Sequence, residues 1–234
     1  FLSPRAVERR LRCAQEEVGA EEKETSNVAV LFSGGVDCTA IATLMHSCLS
    51  PALAIDLLNV SFGASEEDCE RAPDRLSGRS TLEELQACFP DRVWRFVAIN
   101  VTHEEVLLHS EHISAVLHPL DTVMDFNIGA ALWFAGRGQG TLSDGTPYCS
   151  RARVVLSGAG ADEQLGGYAR HVTAACKDSD SAGWHLLREE LHRDLRRLWI
   201  RNLGRDDRCI ADHGKEMRHP FLDEDFMIFV KTLP

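Results

Sequence analysis

The feature that most constrains this chain is a short apolar run, Val28-Ala29-Val30-Leu31-Phe32, that passes directly into Ser33-Gly34-Gly35. A strand with one face in water alternates apolar and polar residues. A run without alternation predicts a strand covered on both faces. A helical pattern follows from Thr39 to Leu49 and is closed by Ser50-Pro51. The unit then recurs. Ile55 to Phe62, Trp94 to Val101 and Val154-Val155-Leu156 read as further strands. Thr81 to Phe89 reads as a short helix, and Thr102-His103-Glu104-Glu105 as a capping box opening a helix to about Leu117. Asp121 to Ala135 is helical in pattern. Strands alternating with helices predict an α/β fold, a parallel sheet with helices on both faces.

A mostly helical C-terminal part is expected after the fourth strand, over Asp162 to Cys176 and Trp184 to Leu203. The second segment carries an apolar stripe of Leu186, Leu187, Leu191, Leu195 and Leu198. Ser65 to Arg79 and Gly136 to Ser150 are expected as loops, and residues 177–183 as a flexible connection. Upstream, Ser3 as N-cap, Pro4 in the first turn and Val7, Leu11, Ala14 and Val18 on one face predict a helix. A charged linker runs from Glu21 to Ser26. The expected organisation is therefore an N-terminal helix and linker over 1–27 and one α/β domain over 28–234.

Composition narrows the function classes. With 234 residues and 44% hydrophobic content, the chain can bury a core. Its net charge of −11 argues against binding to a nucleic-acid backbone, which calls for a basic face. No apolar run approaches the roughly 18 residues of a membrane span, and no leader pattern opens the chain. The eight cysteines include no C-x-x-C, so zinc-ligand spacing is missing. Cys48 and Cys88 fall within apolar patterns, which suits reduced thiols and a cytoplasmic location. His109 and His112 read as helix-packing residues, Glu66-Glu67-Asp68 as a solvated face, and Glu216 with Arg218 as a structural ion pair in preference to an active-site pair.

Ligands of open parallel sheets bind beyond the carboxyl ends of the strands, so those turns carry the functional argument. Ser33-Gly34-Gly35-Val36-Asp37-Cys38-Thr39 joins the first strand to a helix. Glycines permit close backbone approach, and successive N–H groups at a helix N-terminus make an anion nest. Ser33 and Thr39 add hydroxyl donors. Asp37 beside a phosphate suits an intervening Mg²⁺, which takes one or two carboxylates plus phosphate oxygens. The heptad is neither a Walker A loop nor G-x-G-x-x-G, and a ligand-free turn would look similar. However, Ser157-Gly158-Ala159-Gly160-Ala161-Asp162-Glu163 repeats the arrangement after the fourth strand, with Gly166-Gly167-Tyr168 close behind. Two such turns on one sheet edge favour a shared metal–phosphate site, with Asp37 and Asp162 on the metal. Asp162 could otherwise serve the helix dipole alone.

These residues resemble a known family. Ser33 to Asp37 resembles the S-G-G-x-D-S loop of the adenylate-forming ATP pyrophosphatases. The second turn with Gly166-Gly167-Tyr168 is similar to S-G-E-G-A-D-E…G-G-Y of asparagine synthetases. Gly214, Glu216, Arg218 and Pro220-Phe221-Leu222-Asp223 match G-x-E-x-R-x-P-F-L-D. The run Arg201 to Arg208 looks most like the branch of asparagine synthetase domain-containing proteins. The resemblance covers about residues 28–234 and implies the adenine nucleotide alpha hydrolase-like fold. It further implies ATP and Mg²⁺ as cofactors, and aspartate activated as β-aspartyl-AMP and then amidated. The ammonia would come from a glutaminase domain upstream in the full-length protein. By position, Leu31 and Phe62 would line adenine, and Ser157 and Gly158 would contact the nucleotide. Ser33, Gly34, Gly35, Cys38 and Thr39 would surround pyrophosphate. Asp37 and Asp162 would bind the metal.

The chain departs from the family at four points. Cys38 replaces a serine, and a thiol is a weak donor. Ala159 replaces the glutamate of S-G-E-G. The substrate helix, Asp121-Thr122-Val123-Met124-Asp125-Phe126, keeps its first aspartate but lacks the arginine that would pair with an α-carboxylate. The family's catalytic lysine lies beyond the P-F-L-D motif. The chain starts at Phe1 and stops at Pro234 within an apolar region, so a domain truncated at its C-terminus is expected. Asp121, Asp125 and Ala159 are the candidate substrate pocket. Three functions remain open: an asparagine synthetase domain, an ATP-binding or interaction module of the same fold, and an adenylating amidotransferase for another acid.

Overall fold

The computed structural model describes residues 4–15, 26–176 and 181–233. Its strands are β1 (Val28–Leu31), β2 (Ile55–Gly63), β3 (Trp94–Thr102), β4 (Gln139–Thr141), β5 (Pro147–Cys149), β6 (Val154–Leu156) and β7 (Glu216–Arg218). They form one sheet in the order β5-β4-β3-β2-β1-β6-β7. β3, β2, β1, β6 and β7 run parallel, whereas β4 and β5 are antiparallel additions at one edge. The helices are α1 (Pro4–Gln15), α2 (Val36–Cys48), α3 (Glu66–Arg71), α4 (Pro73–Cys88), α5 (His103–Leu117), α6 (Val123–Arg137), α7 (Ala161–Leu165), α8 (Ala169–Ala175), α9 (Ser181–Leu198), α10 (Gly204–Ala211) and α11 (Glu224–Lys231).

The uninterrupted apolar strand has the expected cause. Val28 and Val30 face a core with Val7 and Leu11 of α1, Ile41 and Met45 of α2, Leu82 and Leu85 of α4, and Phe226 of α11. Ala29 faces the opposite core, with Ile113 and Leu117 of α5, Trp133 and Phe134 of α6, and Cys209 and Ile210 of α10. Both faces are thus closed to water, as a buried parallel sheet requires. His109 packs tilted against Trp133 and His112 meets it edge-on, with ring centroids 4.8 and 5.9 Å away, and His112 meets Asp212 at 2.7 Å.

Several local expectations are corrected. Ser65 to Arg79 is two helices rather than a loop. Ser65 caps α3 by accepting from the Asp68 N–H, and Pro73 opens α4, which then continues through Thr81. Glu66, Glu67 and Asp68 form the exposed acidic first turn of α3. Gly136 to Ser150 holds the end of α6 and the β4–β5 hairpin. Its outer strand is tied to buried Asp56 of β2, which accepts from Ser150 Oγ at 2.6 Å and Tyr148 Oη at 3.1 Å. The helix expected over Asp162 to Cys176 breaks at Gly166, which ends α7 in the left-handed region. The first loop's helix begins at Val36 rather than Thr39, and the helix expected to reach Leu203 turns π-helical over Trp199–Leu203. Cys88 is exposed and Cys48 half-buried, not core residues. Val18, most of the charged linker and residues 177–180 lie outside the described residues. No described helix is long and apolar enough to cross a membrane.

A buried arginine closes the far end of α2. Arg92 is 4% exposed. It donates to His46 O and Leu49 O, both at 2.9 Å, and to Ser50 O and Leu53 O, both at 2.6 Å. These carbonyls include the orphan acceptors of the helix C-terminus, where a cation also opposes the dipole. Exchange of Arg92 for methionine keeps the apolar stem and strands four acceptors. It is expected to cost about 3 kcal/mol in chemical denaturation. A loss under about 1 kcal/mol would show that water replaces the guanidinium.

The strand order turns back at β1, with β2 and β3 on one side and β6 and β7 on the other. The turns leaving β1 and β6 therefore flank one crevice at the carboxyl edge, the switch point where open α/β sheets hold ligands.

Candidate functional site

The two glycine-rich turns meet at that crevice. A cleft there is lined by Leu31, Ser33, Gly35, Asp37 and Cys38 from the first turn. Gly158, Ala159, Asp162, Glu163 and Tyr168 come from the second, and Asn202 from the π-helical turn. Close approach is built into Gly158, where a Cβ would lie 3.0 Å from the Asp37 Cβ. Any larger residue there would push the turns apart.

The first turn presents uncapped backbone. Gly35 is the N-cap of α2 and supplies no side-chain acceptor, so N–H groups of the first helical turn stay available to an anion. Two expected donors are spent within the turn. Thr39 Oγ1 donates to Gly35 O at 2.7 Å, and the Cys38 thiol points to the same carbonyl at 3.1 Å. The turn rests on α4, where Thr81 Oγ1 donates to Gly34 O at 3.0 Å.

The second turn is braced by its own glutamate. Glu163 accepts from the Gly160 N–H at 3.1 Å and from Tyr168 Oη at 2.6 Å. From the other side, Gln164 Nε2 donates to Gly160 O and to Phe221 O. Asp162 keeps its carboxylate over Gly167, where a Cβ would lie 1.8 Å from Oδ1.

The electrostatics of the cleft are acidic. Burial first, then Asp162 and Glu163, push the Asp37 carboxyl above its ordinary range. Burial and Glu163 push Asp162 up, while His171 and Arg170 pull it down. Among the described residues, no lysine or arginine lines the cleft. Arg170 stacks on the Tyr168 ring at 4.2 Å and pairs with Asp194 at 2.6 Å. Two carboxylates whose charged forms are both disfavoured fit a Mg²⁺ ion that completes its shell with phosphate and water. Among the described residues, no group of three or more His, Cys, Asp and Glu side chains is placed to hold a metal without such a ligand.

Other sequence candidates lie elsewhere. Gly34, Thr39 and Ser157 support the turns without lining the cleft. Phe62 stands four residues beyond Leu58, the β2 partner of Leu31, and packs edge-on against Phe134 with centroids 6.3 Å apart. Asp121 is exposed ahead of α6. Asp125 is buried, accepts from Thr122 Oγ1 at 2.5 Å and meets Arg205 Nη1 at 3.3 Å. Arg205 also donates to Asp206 at 2.9 Å, and burial still pushes Asp206 up to about 6. Glu216 and Arg218 form the expected ion pair at 2.9 Å. Tyr168 and Asn202 line the cleft without having been singled out as site residues. Tyr168 had a signal in G-G-Y, whereas Asn202 had only the run around it.

A mostly parallel sheet with glycine-rich turns facing each other at its switch point defines the class: this is the ATP pyrophosphatase fold. The sequence pattern of the family described as asparagine synthase matches residues 15–180 and 172–234. Asparagine synthetase domain-containing protein 1 of Bos taurus is 43% identical, over 98% of this chain and 43% of that protein. A yeast asparagine synthetase domain-containing protein (Saccharomyces cerevisiae) is 36% identical, over 89% of this chain and 41% of that protein. The glutamine-hydrolyzing asparagine synthetase of Homo sapiens is 27% identical, over 88% and 32% respectively. The chain belongs to the asparagine synthase family, and it spans less than half the length of these relatives.

Proposed function

We propose that the cleft binds ATP with Mg²⁺ and that the domain activates an amino-acid carboxylate, aspartate first among candidates, for amidation. The observation that carries this reading is the pair of carboxylates, Asp37 and Asp162, between two glycine-rich turns at the switch point. The free N–H groups at the start of α2 are suited to the pyrophosphate, and Leu31 offers the base an apolar wall. Asp37 and Asp162 would hold the Mg²⁺, which supplies charge neutralisation for the phosphate oxygens. In the reaction, a substrate carboxylate oxygen bonds to the α-phosphorus as the bond to pyrophosphate breaks. Ammonia then displaces AMP. Nothing here requires a protein nucleophile, because such transfers depend on positioning and charge.

A specific observation favours a second reading, an ATP-binding module without amide synthesis. Ala159 lines the cleft where the family motif has a glutamate, and among the described residues no basic side chain lines it to meet an α-carboxylate. ATP–pyrophosphate exchange on the full-length protein separates the readings. Exchange that requires aspartate supports the synthetase, and exchange with another acid moves the substrate. Binding without exchange leaves the module.

The metal assignment has its own test. In Gly167→Ala the new methyl group would overlap the Asp162 carboxylate, 1.8 Å from Oδ1 and 2.7 Å from Cγ, and displace it. Mg-ATP affinity is expected to fall about tenfold while the thermal midpoint changes by no more than about 3 °C. Unchanged affinity in calorimetric titration would remove Asp162 from the metal site.

A further inference from the structure

Ser157 and His219 directly follow the neighbouring parallel strands β6 and β7. The ladder between β6 and β7 continues for one step as the Ser157 N–H donates to Arg218 O at 3.0 Å, so both side chains emerge together at the carboxyl edge. Ser157 is 5% exposed, and its Oγ lies 2.9 Å from His219 Nδ1. The same oxygen accepts from the Ala159 N–H at 3.3 Å. Burial pushes His219 down to about 4, opposed by Asp207 and reinforced by Arg10. The ring is therefore neutral near pH 7, with one nitrogen free to accept. Ser157 is thus the internal brace of the second turn, and the histidine fixes that brace. The exit of the turn is held by the same segment, through Gln164 on Phe221 O.

We infer that His219 is a positioning residue of the nucleotide site: by holding the Ser157 hydroxyl it sets the backbone of Gly158 and Ala159, which line the cleft. The position lies inside G-x-E-x-R-x-P-F-L-D at an unspecified letter, so the motif assigns it no role. The inference rests on the nucleotide reading above.

The test uses the full-length protein and a double-mutant cycle in Mg-ATP affinity. His219→Leu is expected to weaken binding about tenfold. His219→Asn places an amide where Nδ1 stood and is expected to stay within about threefold of wild type. In a Ser157→Ala background, His219→Leu should add no further loss, because the residue it acts through is gone. Additive losses, or an asparagine variant as weak as the leucine variant, would overturn the inference. If wild-type protein binds no nucleotide, the functional reading fails instead. The positioning claim is then decided by the Ala159 backbone amide in NMR spectra. Its resonance should move alike in His219→Leu and Ser157→Ala; an Ala159 resonance that His219→Leu leaves in place would overturn the claim.

Discussion

Exchange of Asp37 for asparagine is expected to stabilise the ligand-free protein and to lower its Mg-ATP affinity roughly 100-fold or more. The two effects share one cause. Burial, Asp162 and Glu163 all disfavour the charged form of Asp37. Its folded pKa therefore lies above the unfolded value, so the folded state binds more protons in the window between them. Stability falls as pH rises through that window, and the deficit persists at every higher pH. Asparagine keeps the shape and removes the charge, so the deficit disappears near neutral pH. With ligand the sign reverses, because a divalent cation needs the carboxylates that repel one another without it. Cation affinity should accordingly fall on acidification through the raised pKa of Asp37, earlier than for an ordinary carboxylate. Thermal melts without ligand and with Mg-ATP read both effects. A variant less stable than wild type without ligand would contradict the repulsion account. A variant that still gains the full wild-type increment from Mg-ATP would take Asp37 out of the metal site.

How much of this was legible in the sequence depended on how local the determining force is. β1 and β6 were readable because burial on both faces leaves no polar alternation, and α5 because Thr102 caps it within three residues. α3 and the first half of α4 were hidden by their own solvation: their outward residues are so polar that Ser65 to Arg79 reads as a loop, although Ser65 and Pro73 were available as start signals. The β4–β5 hairpin was hidden for the opposite reason. Its strands are three residues each, and what holds them is a contact between Asp56 and Ser150, 94 positions apart. The turns of the site were legible as motifs, since close backbone approach demands glycine. Which side chains face the cleft was less so. Asp125 spends its carboxylate on Thr122 and Arg205, and Phe62 runs past the end of β1 to Phe134, because packing from distant elements decides both. The same holds for His219, whose partner stands 62 residues away.

Loss of Asp223 is expected to be among the most destabilising single changes in the chain, about 3 kcal/mol in chemical denaturation for Asp223→Ala. Only 3% of its side chain is exposed, and it pairs with both Arg9 and Arg10 of α1, the latter at 2.6 Å. It also caps α11 by accepting from the Asp225 N–H at 3.2 Å. Removing the cap alone costs about 1 kcal/mol. Removing a buried carboxylate further takes the counter-charge from Arg10 and leaves Arg9 with only the exposed Asp225, at 2.8 Å. Both arginines retain some water contact, which places the cost below that of a fully buried pair. The damage should not stop at α1. Arg218 donates to Arg10 O, and Leu222, the neighbour of Asp223, packs where a Cβ on Gly160 would stand, 2.4 Å from its Cδ2. Loosening α1 therefore loosens the segment that braces the second turn. Asp223→Asn separates the contributions: it keeps a cap acceptor and loses the charge, so it should recover about 1 kcal/mol of the loss and no more. Full recovery would assign the stabilisation to the cap. No recovery would assign it to the ion pairs with α1 alone.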